Sequence, residues 1–193
     1  YKEGYLMSII YLNVPITDEN EILNIHAGDI VYITGDIYTG RDQAHKRLCN
    51  LITQNKELPI NLKNETIYYV GPTPVKPGEI IGSAGPTSSY RMDPFSSMLM
   101  EKGLKIMIGK GPRSKEYKNS LIKNKSIYLS CIGGSGCLIS KCIKKAEIVA
   151  YSDLGTEAIY RFRVEKMYTI CTYDAHGNDL FEEGIKKFKG KNI

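Results

Sequence analysis

The chain has 193 residues, with 42% apolar and 24% charged residues and a formal net charge of +5. That length suits one domain and can bury a sizeable core, roughly 70% of the unfolded surface. No apolar run approaches the ~20 residues needed to span a bilayer, and the mild basic charge, without a named module or a stripe interleaved with aromatics, excludes a nucleic-acid partner.

The Lys-rich stretches at 115–125 and 186–191 read as solvated faces. The chain opens at Tyr1 rather than Met, as expected after trimming of an initiator or tag, and its start lacks a secretory signal pattern. The five cysteines are odd in number and irregularly spaced. They read as free thiols in a reducing cytoplasm, which sets the expected location.

In chain order, residues 9–15 predict a strand and 29–40 one or two more. A helix follows, with Thr39 as its cap, Asp42 as capping-box partner, and Ala44, Leu48, Leu51 and Ile52 at helical spacing. Residues 66–72 are β-rich and end in turn residues. Asp93-Pro94 predicts a capped helix start, with Phe95, Met98 and Leu99 as the buried face and Gly103 as the stop. Residues 104–109 predict a short buried strand, 114–124 a polar helix, 126–134 a strand and 138–145 a helix. Residues 158–166 alternate as a half-buried strand, and 169–181 read as a hairpin turning at His176-Gly177-Asn178, with His176 structural. A polar tail, about 182–193, closes the chain. Interleaved strands and helices place the chain in the α/β class with mixed strand directions, as one domain over 1–193.

Three segments end a strand in Gly-rich backbone near a helix start, where ligands collect in α/β folds. The first, "TGRDQAHKR", carries Arg41 in the first helical turn and His45 on the same face. A cation there opposes the helix dipole and is favourable once an anion arrives. The second, "GEIIGSAGPTSSYRMD", offers Gly82 and Gly85 for close backbone approach, hydroxyls at Thr87 to Ser89, and the planar fork of Arg91. The third, "IGKG", sets Lys110 between two glycines after a buried strand. Each residue alone has a plainer reading. Arg41 could pair with Asp42 or Glu57, Thr87 could be a turn hydroxyl, Lys110 a solvated lysine and His45 a packed histidine. Together they point to a dianionic ligand gripped by two arginines and a lysine.

Two other chemistries fit less well. "IGGSGC" lacks both dinucleotide and Walker spacing and reads as a tight helix entry or small anion nest. Cys131, Cys137 and Cys142 lack a zinc spacing and read as small hydrophobes, so no metal is expected on this chain.

The segments "AGDIVYITGDIYTGRDQAHKRL", "YYVGPTPVKPGEIIGSAGPTSSYRMD", "MIGKG" and "EIVAYSDLGTEAIYRFRVEKM…YDAHGNDLF" resemble the β subunit of iron–sulfur-dependent class I fumarate hydratases. The β subunits of L-tartrate dehydratases are similar. The resemblance runs from about residue 16 to about residue 181, and its G-R-D-x-A-H-x-R and G-P-T-[ST]-x-x-R-M-D motifs are specific in combination. One departure is Gly-Ser-Gly-Cys ending at Cys137, where the family has small apolar residues, which weakens any metal role for Cys137.

The resemblance implies a swivelling β/β/α domain with a mixed sheet and flanking helices. It implies reversible hydration of fumarate to L-malate, with a 4Fe-4S cluster held by three cysteines of an α subunit or N-terminal domain and none by this chain. It places the substrate carboxylate contacts on Arg41, Arg91 and Lys110, the proton-transferring hydroxyl on Thr87, and Asp42 and His45 behind them. The expected assembly is a cytoplasmic hetro-oligomer with the α subunit, inactive as the lone chain. The alternatives are an L-tartrate dehydratase β subunit or a non-catalytic dicarboxylate-binding or assembly module.

Overall fold

The computed structural model describes residues 7–73, 78, 80–131 and 136–188. Its strands are β1 (Ile9–Val14), β2 (Ile30–Thr39), β3 (Thr66–Tyr68), β4 (Ile106–Gly109), β5 (Ile127–Ser130), β6 (Ile143–Ala150) and β7 (Ile159–Tyr173). Its helices are α1 (Asn20–Leu23), α2 (Asp42–Thr53), α3 (Asp93–Glu101), α4 (Lys115–Asn124), α5 (Gly136–Cys142) and α6 (Leu180–Phe188). Strand order is β1-β2-β3-β4-β5-β7-β6, and β2 also pairs with β7. The ring β2-β3-β4-β5-β7 therefore closes on itself as a five-stranded barrel, with β1 and β6 as outer strands. Strands β1 to β5 run parallel, and β7 is antiparallel to its neighbours. This is the mixed sheet with flanking helices of a swivelling β/β/α domain.

The alternation of side chains across the sheet sorts the core into two clusters. Val31, Ile33, Ile37, Ile106, Ile108, Leu129, Phe162 and Val164 share one. Ile67, Met107 and Tyr128 face the other way, against Ala44 and Leu48 of α2, Leu99 and Met100 of α3, and Leu121 of α4. Burying such side chains contributes about 1.5–3 kcal/mol each, which fixes the helices on that face.

Several elements differ from expectation. Thr39 does not cap α2. It is still in β2, where its hydroxyl accepts from Tyr160 N–H at 3.0 Å. The helix starts later, so Arg41 sits at the N-cap in extended conformation rather than in the first turn. Asp93 does not cap α3 either. A 3-10 turn, Ser89–Met92, feeds directly into that helix, and the Asp93 carboxylate instead accepts from Ser114 N–H at 2.7 Å and from Arg113 Nε. The helix expected over 138–145 ends at Cys142 and continues as β6, an outer strand paired only with β7. The strand at 158–166 and the first arm of the expected hairpin are one strand, β7, which runs through an irregularity opposite Ile33 and Gly35. The second arm of the hairpin is reduced to a single antiparallel bridge, Tyr173 with Asp179. Asp174 accepts from His176 and Asn178 N–H at 2.9 Å each to make the turn, and Asp179 accepts from Phe181 N–H at 2.9 Å at the start of α6. Residues 182–188 of the expected polar tail are thus helical. His176 is built into this turn, its Nε2 2.8 Å from the Leu23 carbonyl and its ring stacked on His26. The expected anion nest at 132–135 lies outside the described residues, as does the Cys137 side chain.

Beside β3, Glu65 shares a small cavity with Asp36, Tyr38 and Arg161. Burial, reinforced by Asp36, pushes its carboxyl up to about 7. The folded state therefore holds a proton that the unfolded chain releases near 4.5, and stability falls as pH rises from about 4.5 through 7. Glu65→Gln is expected to raise the melting temperature above wild type at pH 8 and to lose that advantage at pH 4. Thermal unfolding at both values checks this, and a pH-independent difference would contradict it.

Candidate functional site

The site is built on the carboxyl ends of three adjacent parallel strands. Past β2, Gly40 N–H bonds the Tyr68 carbonyl, and Arg41 follows. Past β3, Tyr69 N–H bonds the Ile108 carbonyl, and the Tyr69 carbonyl accepts from Thr87 N–H at 2.9 Å. Past β4, Lys110 pairs with Ser88 in an isolated parallel bridge. The loop bearing Thr87 and Arg91 is thus stitched in as an extra extended segment beside the tails of β3 and β4.

Ser89 completes the stitch. Its hydroxyl accepts from Lys110 N–H at 2.8 Å, and its own N–H bonds the Lys110 carbonyl at 3.1 Å. Gly109 permits this, because a Cβ there would lie 2.0 Å from Ser89 Oγ. Gly71 has a parallel role, since a Cβ there would lie 2.9 Å from Arg41 Cδ and 3.0 Å from the Thr156 carbonyl. The close approach beside Gly85 is required of its neighbour: a Cβ on Gly136, at the start of α5, would lie 2.5 Å from Ser83 Oγ and 3.2 Å from Gly85 N, whereas one on Gly85 would meet only ordinary contacts.

Arg91 Nη2 donates to Thr87 Oγ1 at 2.7 Å. Its Nη1 lies 3.3 Å from Asp42 Oδ2, which ties the second segment to the first. Arg41 Nη2 lies 3.2 Å from Glu157 Oε1. The plainer expectation gave Arg41 the partner Asp42 or Glu57; the observed partner comes from the turn before β7. Both arginines are underbonded. Arg41 Nε, Arg91 Nε, Asp42 Oδ1 and Glu157 Oε2 are buried without a hydrogen-bond partner among the described residues. Arg47, by contrast, makes two aligned bonds to Asp153 at 2.9 and 2.6 Å. Unmet buried donors and acceptors are costly, and a ligand that meets them recovers that cost.

His45 lies behind Arg41. It is fully buried, beside Tyr69 and Phe95, and its Nδ1 is 2.8 Å from the Arg41 carbonyl. A carbonyl only accepts, so Nδ1 carries the proton. Burial holds the imidazolium down at about 4, so the ring is neutral near pH 7. Lys110 is exposed, and among the described residues its side chain makes no ion pair. Arg41, Asp42, Thr87, Arg91 and the Lys110 backbone are therefore brought into one linked group, with His45 supporting the first of them. Glu157 is the member that sequence reasoning missed.

Among the described residues, no group of three or more His, Cys, Asp or Glu is placed to hold a metal ion. Burial pushes the Cys131 thiol up to about 12 and holds Cys171 well above the usual thiol range, which disfavours the thiolates that metal ligation needs. No helix among the described residues is long and apolar enough to cross a membrane.

A family model described as fumarase C-terminus matches residues 4–184, and the chain belongs to that family. Among individual relatives, the anaerobic class I fumarate hydratase of Escherichia coli K12 is 40% identical over 157 residues, covering 80% of this chain and 29% of that protein. A putative class I fumarate hydratase of Geobacillus stearothermophilus is 35% identical over 180 residues, covering 91% of this chain and 34% of that protein. The chain thus spans about a third of the length of these curated relatives. A putative L(+)-tartrate dehydratase subunit beta of Methanocaldococcus jannaschii is 32% identical over 175 residues, covering 88% of this chain and 90% of that protein.

Proposed function

We propose that this chain is the β subunit of a two-subunit hydro-lyase that reversibly hydrates fumarate to L-malate. The observation that carries the reading is the bond from Arg91 Nη2 to Thr87 Oγ1 at 2.7 Å, set within a group of cations at adjacent strand ends.

Fumarate is a planar dianion, and taking it out of water is costly unless fixed donors meet each carboxylate. Arg41 and Arg91 each retain unused guanidinium donors, and Lys110 adds a mobile ammonium. In the malate-to-fumarate direction a base must take a proton from the carbon beside a carboxylate. Thr87 Oγ1 is that base, acting as the alkoxide once its own proton has passed to solvent, which the half-buried side chain reaches. A hydroxyl is a weak base, but a charged donor on its oxygen stabilises the alkoxide and lowers its pKa. The electron pair left on carbon spreads into the adjacent carboxylate, where the arginine and lysine donors lower its energy. Asp42 holds Arg91, and the neutral His45 holds the backbone of Arg41.

In this reading the 4Fe-4S cluster of the complex belongs to an α subunit, and the raised thiol of the buried Cys131, a poor source of thiolate, supports that. There it would supply Lewis-acid activation of water and of the leaving hydroxyl. The chain alone is then inactive, and the complex is a hetero-oligomer placed in the cytoplasm, where the free cysteines stay reduced.

A second reading, an L-tartrate dehydratase β subunit, is favoured by one observation. The Methanocaldococcus relative is a separate subunit of matching length. The substrates differ by a hydroxyl. A panel of fumarate, L-malate and tartrate isomers on the complex with a cluster-bearing α subunit separates the readings. Turnover of fumarate and malate is expected; turnover of tartrate alone would support the second reading. Dicarboxylate binding without turnover of any of them would leave a non-catalytic module.

A further inference from the structure

Glu157 closes a 3-10 segment, Ser152–Glu157, that the clamp reading leaves without a role. The segment is tied to α2. Arg47 makes two bonds to Asp153, and its guanidinium lies over the Tyr151 ring, 5.1 Å from the centroid. The helix that follows Arg41 thus also anchors the turn that carries Glu157. The Thr156 carbonyl and Arg41 crowd Gly71 together, so the tails of β2 and β3 and this turn meet at one point.

The Arg41–Glu157 contact at 3.2 Å is an ion pair without an aligned hydrogen bond, and Glu157 Oε2 is buried with no partner among the described residues. The other arm repeats the arrangement. Arg91 and Asp42 are 3.3 Å apart, with Asp42 Oδ1 likewise unmet. Each arginine of the clamp therefore carries a resident carboxylate that is close enough to compete and too poorly aligned to satisfy it.

We propose that Glu157 is a specificity-determining residue: the resident counter-ion of Arg41, against which any incoming anion must compete. The inference rests on the reading of Arg41 and Arg91 as a substrate clamp. A bare guanidinium would accept any small anion. With Glu157 on Arg41 and Asp42 on Arg91, a monocarboxylate or phosphate gains one arginine only by disturbing a resident pair, and it meets the repulsion of the resident carboxylate. A dicarboxylate engages both arginines while losing its translational freedom once. The resident carboxylates thus act as repulsive elements that reject the wrong ligand.

The test uses the full chain with ¹⁵N-labelled arginine. The Nε–H groups of Arg41 and Arg91 are buried and report directly on the clamp. Succinate, acetate and inorganic phosphate are titrated separately. In the wild type, succinate is expected to move both Nε–H signals at concentrations where acetate and phosphate do not. In Glu157→Gln the apparent affinity of Arg41 for all three anions should rise roughly tenfold, so that acetate and phosphate move its Nε–H signal at concentrations that leave it unmoved in the wild type. Glu157→Asp, which keeps the charge, should retain the wild-type thresholds. Asp153→Asn, which loosens the turn from Arg47, should lower the thresholds as Glu157→Gln does and covers the case in which that variant fails to fold. Wild-type thresholds in Glu157→Gln and Asp153→Asn, with succinate still moving both signals, would overturn the role of Glu157. Failure of succinate to move either signal in the wild type would overturn the clamp reading beneath it.

Discussion

Thr87→Ala in the complex is expected to lower kcat by roughly 10²- to 10⁴-fold, the usual contribution of a positioned general base. KM should change little. The Thr87 hydroxyl is half-buried and accepts one bond, from Arg91 Nη2. Its removal takes away the proton acceptor and leaves Arg41, Lys110 and the Arg91–Asp42 pair in place. The loss therefore falls on the transition state, which lowers kcat and kcat/KM together. Thr87→Ser, which keeps the oxygen, should recover much of the rate. Steady-state kinetics with malate separate the outcomes. A rise in KM with kcat unchanged would make Thr87 a binding residue.

Arg91→Lys should cost about 1.5–3 kcal/mol in kcat/KM, or roughly 10- to 150-fold, although the charge is kept. Arg91 reaches Thr87 through Nη2 and Asp42 through Nη1, and its Nε is left for a further partner. A planar fork can do all three at once, and a single ammonium cannot span those directions. Loss of the Nη2 bond also withdraws the donor that stabilises the Thr87 alkoxide, so both kcat and KM should suffer. An unchanged kcat/KM would remove Arg91 from the clamp.

The parts of the fold that were legible in the sequence are those where a local pattern carries the physics. Residues 30–39 alternate, and α2 places Ala44 and Leu48 at helical spacing on a buried face. Where the pattern was weak, the reading failed for identifiable reasons. β6 lies on the outside of the sheet with most side chains half-exposed or exposed, so it shows no alternation, and the apolar spacing before it extended the helix too far. The expected strand ends at Lys166. The strand continues there because Lys166 takes a positive φ and its N–H bonds Thr34 Oγ1 at 3.0 Å.

The site divides in the same way. The segments of Arg41, Thr87, Arg91 and Lys110 could be picked out because Gly-rich strand ends beside helix starts are local features. Their partners could not. Glu157 reaches Arg41 only because β7 closes the barrel back onto β2, and nothing near residue 157 marks that closure. Asp42 turned out to serve Arg91 rather than its own neighbour, which depends on how the loop before α3 packs on α2.

Anaerobic reconstitution of the lone chain with iron and sulfide, followed by an absorbance spectrum and a fumarate hydration assay before and after addition of a cluster-bearing α subunit, tests the central claim most directly. The half-site reading predicts a folded, colourless and inactive chain that gains activity on mixing and loses it on exposure to oxygen. A bound cluster with turnover in the lone chain would contradict it and return Cys131, Cys137 and Cys142 to contention as ligands.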